Sequence, residues 1–170
     1  MKIRPCWRRC PNDCCFQCFP LDWSCVDQLE VLPALYERIY IADAARLEVI
    51  EKGRQRPGVI ELARADWLVP LTVSRRVLAA LRPYPSGLHA GEIEAIALAL
   101  QQRADIVLMD ERLARTFAQS KGLQVLGTLG VLKQAYTRGL LADLRGALDS
   151  LRARGFRFSD TLYQQILSSD

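Results

Sequence analysis

The chain of 170 residues is long enough for one compact domain with a real core. Half of its residues are apolar and a quarter charged, an ordinary globular balance. The net charge of +4 and a pI near 8.8 are compatible with RNA as a partner without requiring it. No apolar run approaches the roughly 20 residues of a membrane span. The opening MKIRPCWRRCPNDCC is basic but has neither the apolar core nor the small-residue cleavage site of a secretory signal, so a cytoplasmic location is the default expectation.

Cysteine usage is lopsided. Cys6, Cys10, Cys14, Cys15, Cys18 and Cys25 all fall in the first 25 residues and none follows. A secreted disulfide scaffold would spread its cysteines through the core, which makes the body of the chain a reduced, cytosolic domain.

From Val26 onward helical and strand signals alternate. VDQLEVLPALYE has apolar residues at helical spacing (Val26, Leu29, Leu32, Leu35), interrupted by Pro33. RIYIA is a short strand, and Asp43 is placed to cap a helix over AARLEVIEK that Gly53 ends. PGVIELARADW reads as a further helix with Pro57 in its first turn. LVPLTV is a strand at a sheet edge, because Pro70 has no N–H for a central ladder. SRRVLAALR is helical and PYPSG a loop. HAGEIEAIALALQQRA is a helix apolar nearly all round, at Ile93 and through Ala95–Leu100, the pattern of a helix buried on several sides. DIVLMD is a buried strand, ERLARTFAQSKG a helix and LQVLGT another strand. LGVLKQAYTRGLL, LADLRGALDSLRARG and SDTLYQQIL close the chain as helices. Strands alternating with helices imply a parallel sheet covered on both faces, and the absence of repeats or low-complexity linkers implies one domain.

In open parallel sheets ligands bind beyond the carboxyl ends of the strands. Asp110 closes the strand IVLM, Glu48 lies on the helix after RIYIA, and Glu92 and Glu94 open the buried helix. Carboxylates gathered at one edge repel unless neutralised, and oxygen-only sites of this kind suit Mg²⁺ or Mn²⁺. Such an ion activates water and stabilises charge on a phosphoryl oxygen, which points to phosphodiester hydrolysis.

Each acid also has a purely structural role open to it. Asp110 is placed to cap the helix ERLAR, Glu48 (like Glu51) to be a solvated helix residue, and Glu92 to favour a helix N-terminus through the macrodipole. Glu94 is harder to explain this way, being the only charge inside a long apolar stretch. Two residues apart, Glu92 and Glu94 lie on different helical faces and serve different roles. His89, the sole histidine, reads as a loop or cap residue rather than a ligand.

AGEIEAIALALQQRADIVLMDERLAR resembles the signature of PIN-like prokaryotic proteins, a branch described only as predicted nucleic-acid-binding. GLQVLGTLGVLKQAYTRGLL and GFRFSDTLYQQIL resemble the same branch, and IYIADAARLEVIEKG is similar to its first acidic segment. The resemblance covers Val26 to Leu167, with residues 90–132 its specific part. It implies a three-layer α/β fold with a parallel, Rossmann-like sheet, and a ribonuclease that gathers acidic side chains around Mg²⁺ or Mn²⁺ to cut single-stranded RNA. Many such proteins are toxins of toxin–antitoxin pairs, so an antitoxin protein and a homo-oligomer are expected partners. By position, Glu48, Glu94 and Asp110 correspond to catalytic acids that also hold the metal, with Glu92 assisting, and Arg112 and Arg115 are expected to steer phosphates. His89 stands where the branch often has an acid.

The opening departs from the family. PIN-like chains begin with a buried strand ending in Asp or Asn and a Ser-Pro-Leu-Ile-like turn, whereas this chain reads CCFQCFPLDWSC. The first strand is therefore expected to be missing or disrupted, with residues 1–25 an aberrant, poorly ordered segment and 26–170 the domain. Shifted by one nucleotide, the codons of that stretch permit Ala-Val-Ser-Asn-Ala-Ser-Pro-Leu-Ile-Gly-Leu, which favours a frameshift or mis-assigned start. The rival is a zinc site on Cys6, Cys10, Cys14, Cys15 and Cys18, with irregular spacings that disfavour it.

Three functions follow: a metal-dependent ribonuclease, impaired in this chain to the extent that the first strand is lost; a non-catalytic RNA- or protein-binding remnant of that fold; and, weakest, a zinc-linked interaction module. Sequencing the encoding DNA across residues 1–27 is expected to show, in the shifted frame, a strand followed by Ser-Pro-Leu-Ile. A shifted frame without that pattern makes the cysteine-rich opening genuine.

Overall fold

The computed structural model describes residues 13–16 (as backbone), 29–43, 45–47 and 64–168. In chain order the elements are β1 (Asp13–Phe16), α1 (Val31–Leu35), β2 (Arg38–Ala42), β3 (Leu68–Leu71), α2 (Arg75–Ala80) and α3 (Ala90–Gln102). They continue with β4 (Ile106–Leu108), α4 (Arg112–Ser120), β5 (Val125–Leu126), α5 (Thr128–Thr137), α6 (Leu144–Ala153) and α7 (Asp160–Ser168).

The strands form one parallel sheet in the order β3-β2-β1-β4-β5. A first strand, expected to be missing or disrupted, is present in this sheet: Asp13–Phe16 is the central strand, Cys15 level with Tyr40 on one side and Val107 on the other. The physical reason is pairing. Without β1, β2 and β4 would each present an open row of backbone donors and acceptors in the middle of the sheet. A short apolar run of Cys-Cys-Phe is compatible with such a position.

Local sequence explains most of the other elements. Pro70 lies on β3, an edge strand, as its missing N–H requires. Pro33 does not interrupt α1. It is the third residue of that helix, in the first turn, where an N–H would have no intrahelical acceptor. The helix expected over PGVIELARADW falls largely on residues 57–63, outside the described residues.

α3 packs on β2, β1 and β4, and Ala95–Ala99 are fully buried. Alanine at three of these five positions (Ala95, Ala97, Ala99) lets the helix approach the sheet closely, with Ile96 and Leu98 filling the space between. Arg103 then adopts a left-handed conformation (φ 54°) that turns the chain directly into β4, so α3 runs antiparallel to that strand. On the other face α1 and α5 meet through Tyr36 Oη, which donates to Gln134 Oε1 (2.9 Å), and Arg138 Nη1, which donates to the Leu35 carbonyl (3.3 Å). α5 packs on α6 and α6 on α7, completing a three-layer α/β arrangement.

α7 is held differently. Among its residues only Tyr163 is buried. The Arg152 guanidinium lies 4.7 Å from the Phe158 ring centroid and 4.6 Å from that of Tyr163, and Tyr163 Oη donates to Asp149 (2.7 Å). Arg152 also pairs with the exposed Asp160 (2.7 Å). Among the described residues no helix is long and apolar enough to cross a membrane.

The fully buried face of α3 is expected to carry a large share of the stability. Ile96→Ala should cost about 2–5 kcal/mol in urea denaturation. A loss below ~1 kcal/mol would contradict close packing at this interface.

Candidate functional site

Because the sheet is parallel, all its strands end at one edge. The strand order reverses between β1 and β4, which opens a crevice there, beyond the carboxyl ends of the strands. α3 runs antiparallel to β4, so its first turn returns to this edge. Its approach loop packs there: a Cβ at Gly87 would sit 3.4 Å from Leu113 in the first turn of α4.

Asp110 stands at the end of β4. It does not cap α4, as its position in sequence invites; Glu111 does, accepting from the Ala114 N–H (2.8 Å). The Asp110 carboxylate reaches instead to the start of α5. Its Oδ1 accepts the Thr128 N–H (2.9 Å) and its Oδ2 accepts the Thr128 hydroxyl (2.5 Å). Thr128 is fully buried and opens a helix whose first N–H groups have no intrahelical partner.

Glycine at position 127 is required by the same contact. A Cβ there would lie 2.6 Å from Asp110 Oδ1 and 2.5 Å from Arg115 Nη1. Arg115, half-buried, donates through that nitrogen to the Met109 carbonyl (3.3 Å), which holds its charge beside the carboxylate. Burial raises the Asp110 pKa above the ordinary aspartate value, against the opposing pull of the two Thr128 hydrogen bonds and the Arg115 charge. Arg112, in contrast, is exposed.

Glu92 and Glu94 are separated, as their spacing requires. Glu92 is only 5% exposed, and its Oε2 accepts the His89 N–H (2.8 Å), closing the start of α3. Glu94 is half-buried and faces a groove shared with α2. His89 is the exposed N-cap residue of α3. Glu48 lies outside the described residues.

Sequence reading passed over two groups. Asp43 follows β2 at the level of Asp110: Ile41, Phe16 and Leu108 are in register, and each acid comes two residues later. Its Oδ2 accepts the Thr72 hydroxyl (2.5 Å), linking the ends of β2 and β3. An acid immediately after a strand was the available signal. Thr128, the partner of Asp110, is 18 residues away in sequence, and no local pattern reports it. Asp13 lies at the amino end of β1, level with Arg38, and does not reach the site edge.

The donor chemistry fits a hard divalent cation. The carboxylates of Asp110 and Glu92 offer oxygen only, and Glu92 is buried. No group of three or more acidic, His or Cys side chains is close enough to enclose a metal among the described residues. Mg²⁺ is ordinarily held through one or two carboxylates, with water and substrate phosphate completing the shell.

The raised Asp110 pKa has a definite sign. The folded state binds the proton more tightly than the unfolded state, so ionised Asp110 opposes folding at neutral pH. That opposition fades as pH falls through its folded pKa towards the ordinary value. Asp110→Asn keeps both links to Thr128, its oxygen accepting the N–H and its amide donating to the hydroxyl. In metal-free buffer this variant is expected to be at least as stable as the parent at neutral pH, with the gap narrowing on acidification. A gap independent of pH in paired denaturation curves would refute the assignment.

No curated protein matches the chain. A family model described as a PIN domain matches residues 21–170, from just after β1 to the end of α7 and beyond. The parallel α/β sheet is consistent with that match, and the chain belongs to the PIN-domain family.

Proposed function

We propose that the protein is a metal-dependent ribonuclease that hydrolyses phosphodiester bonds at the carboxyl edge of the sheet. The observation that carries this reading is the Asp110 carboxylate, fixed at the strand-order reversal by Thr128 and kept partly out of water. Membership of the PIN-domain family supports it. Asp110 and Glu92 would hold Mg²⁺ or Mn²⁺, with Glu48 as the further acid expected from the resemblance. The ion, when bound, supplies charge stabilisation at the phosphoryl oxygens and an acidified water. The chain's own residues do the positioning: Thr128 fixes both Asp110 oxygens, Arg115 balances its charge, and the His89 N–H orients Glu92. Glu94, turned toward the α2 groove, belongs to the substrate side of the site. Arg112, exposed in the first turn of α4, is suited to phosphate steering.

One observation favours a second reading, a binding protein that has lost catalysis. The four residues of β1 bring no carboxylate to the carboxyl edge, since Asp13 is at the far end of the strand. Such a remnant binds RNA or a protein without needing the metal.

Mn²⁺-dependent cleavage of single-stranded RNA separates the two. Asp110→Asn and Glu92→Gln are each expected to lower it about 100-fold or more, and Glu94→Gln to have a smaller effect. RNA binding without metal and without cleavage products, in parent and variants alike, would establish the binding protein instead.

A further inference from the structure

α2 is a helix without a buried residue. It lies antiparallel to α3, joined at one end by Gln101, whose side chain accepts from the Ser74 N–H (2.8 Å) and donates to the Thr72 carbonyl (3.1 Å). At the other end the two helices diverge around a groove of about 470 Å³. Its floor is apolar, Leu78 and Ile93, and its rim carries Arg75, Arg82, Tyr84 and Glu94. Arg75 and Arg82 are exposed, and the Arg82 guanidinium lies 5.6 Å from the Tyr84 ring centroid. The groove ends within one helical turn of Glu92, and the loop that carries Tyr84 continues to Gly87, against the first turn of α4.

A half-buried aromatic ring that shares an apolar groove with two arginines has the composition of a site for single-stranded nucleic acid, where bases stack on rings and phosphates meet arginines. The matching groove on the opposite side of α2 has cations, Arg76 and Lys121, but no aromatic ring. We propose that the α2–α3 groove holds a nucleotide flanking the scissile bond of a single-stranded RNA, its base on Tyr84 and its phosphates against Arg75 and Arg82. This rests on the nuclease reading and names the part of the site that grips the substrate. Tyr84 is a binding residue here, with no part in the chemistry.

The test is binding without cleavage. A short fluorescent single-stranded RNA of mixed sequence is titrated with the full chain in chelating buffer, and again with Mn²⁺ using Asp110→Asn, with thermal melting as the folding control. Tyr84→Ala is expected to weaken binding about tenfold, and Tyr84→Phe, which keeps the ring, to restore it. Arg75→Gln and Arg82→Gln are each expected to reduce the slope of log affinity against log salt by about 0.7. If RNA binds but these variants match the parent in affinity and slope, the groove is not the RNA site, and the nuclease reading stands apart from it. If neither the parent in chelating buffer nor Asp110→Asn with Mn²⁺ binds RNA, the groove proposal and the nuclease reading fall together.

Discussion

Two half-sheets meet on a strand of four residues. β2 and β3 lie on one side of β1, β4 and β5 on the other, and among the described residues no other strand joins them. The crevice that positions the acids exists because the order reverses at this strand, so the fold and the site depend on the same backbone pairing. Pairing is a main-chain property and tolerates an unusual sequence such as Asp-Cys-Cys-Phe. Catalytic chemistry is a side-chain property and does not. A segment that differs from the family's opening can thus still build the sheet while altering what the sheet presents at its edge.

Asp110 links the two levels. A carboxylate at a strand end would be an ordinary solvated group if α5 did not begin beside it. Thr128 gives that carboxylate two donors, Gly127 leaves it room, and Arg115 supplies nearby positive charge. Burial still outweighs them, so the Asp110 pKa stays above the ordinary aspartate value. The group is rigid and only partly compensated, a condition that a cation would relieve and that an isolated helix cap does not need.

Much of this was legible in the sequence. Hydrophobic period identified β2, β4 and α3, and the missing N–H of Pro70 marked an edge strand before any pairing was known. The spacing of Glu92 and Glu94 separated their roles, but which of the two turned inward depended on where α3 meets the sheet. β1 escaped because three apolar residues among cysteines and charges carry no period, and its place is fixed by neighbours distant in sequence. The Asp110–Thr128 contact escaped for the same reason. Local rules assign a strand-end acid to the next helix, and here tertiary packing assigned it to the one after.

The attachment of α7 bears on how the domain opens. A helix that buries one tyrosine and is otherwise secured by an arginine between two rings gains little from apolar burial, and its exposed ion pair with Asp160 adds little more. Cooperative unfolding units separate where buried apolar contact is thin. α7 is therefore the natural first unit to detach, with backbone amides that exchange with solvent well before those of α3. Its loss would uncover the α6 face that carries Arg145, Asp149 and Arg152 while leaving the sheet and its carboxyl edge paired.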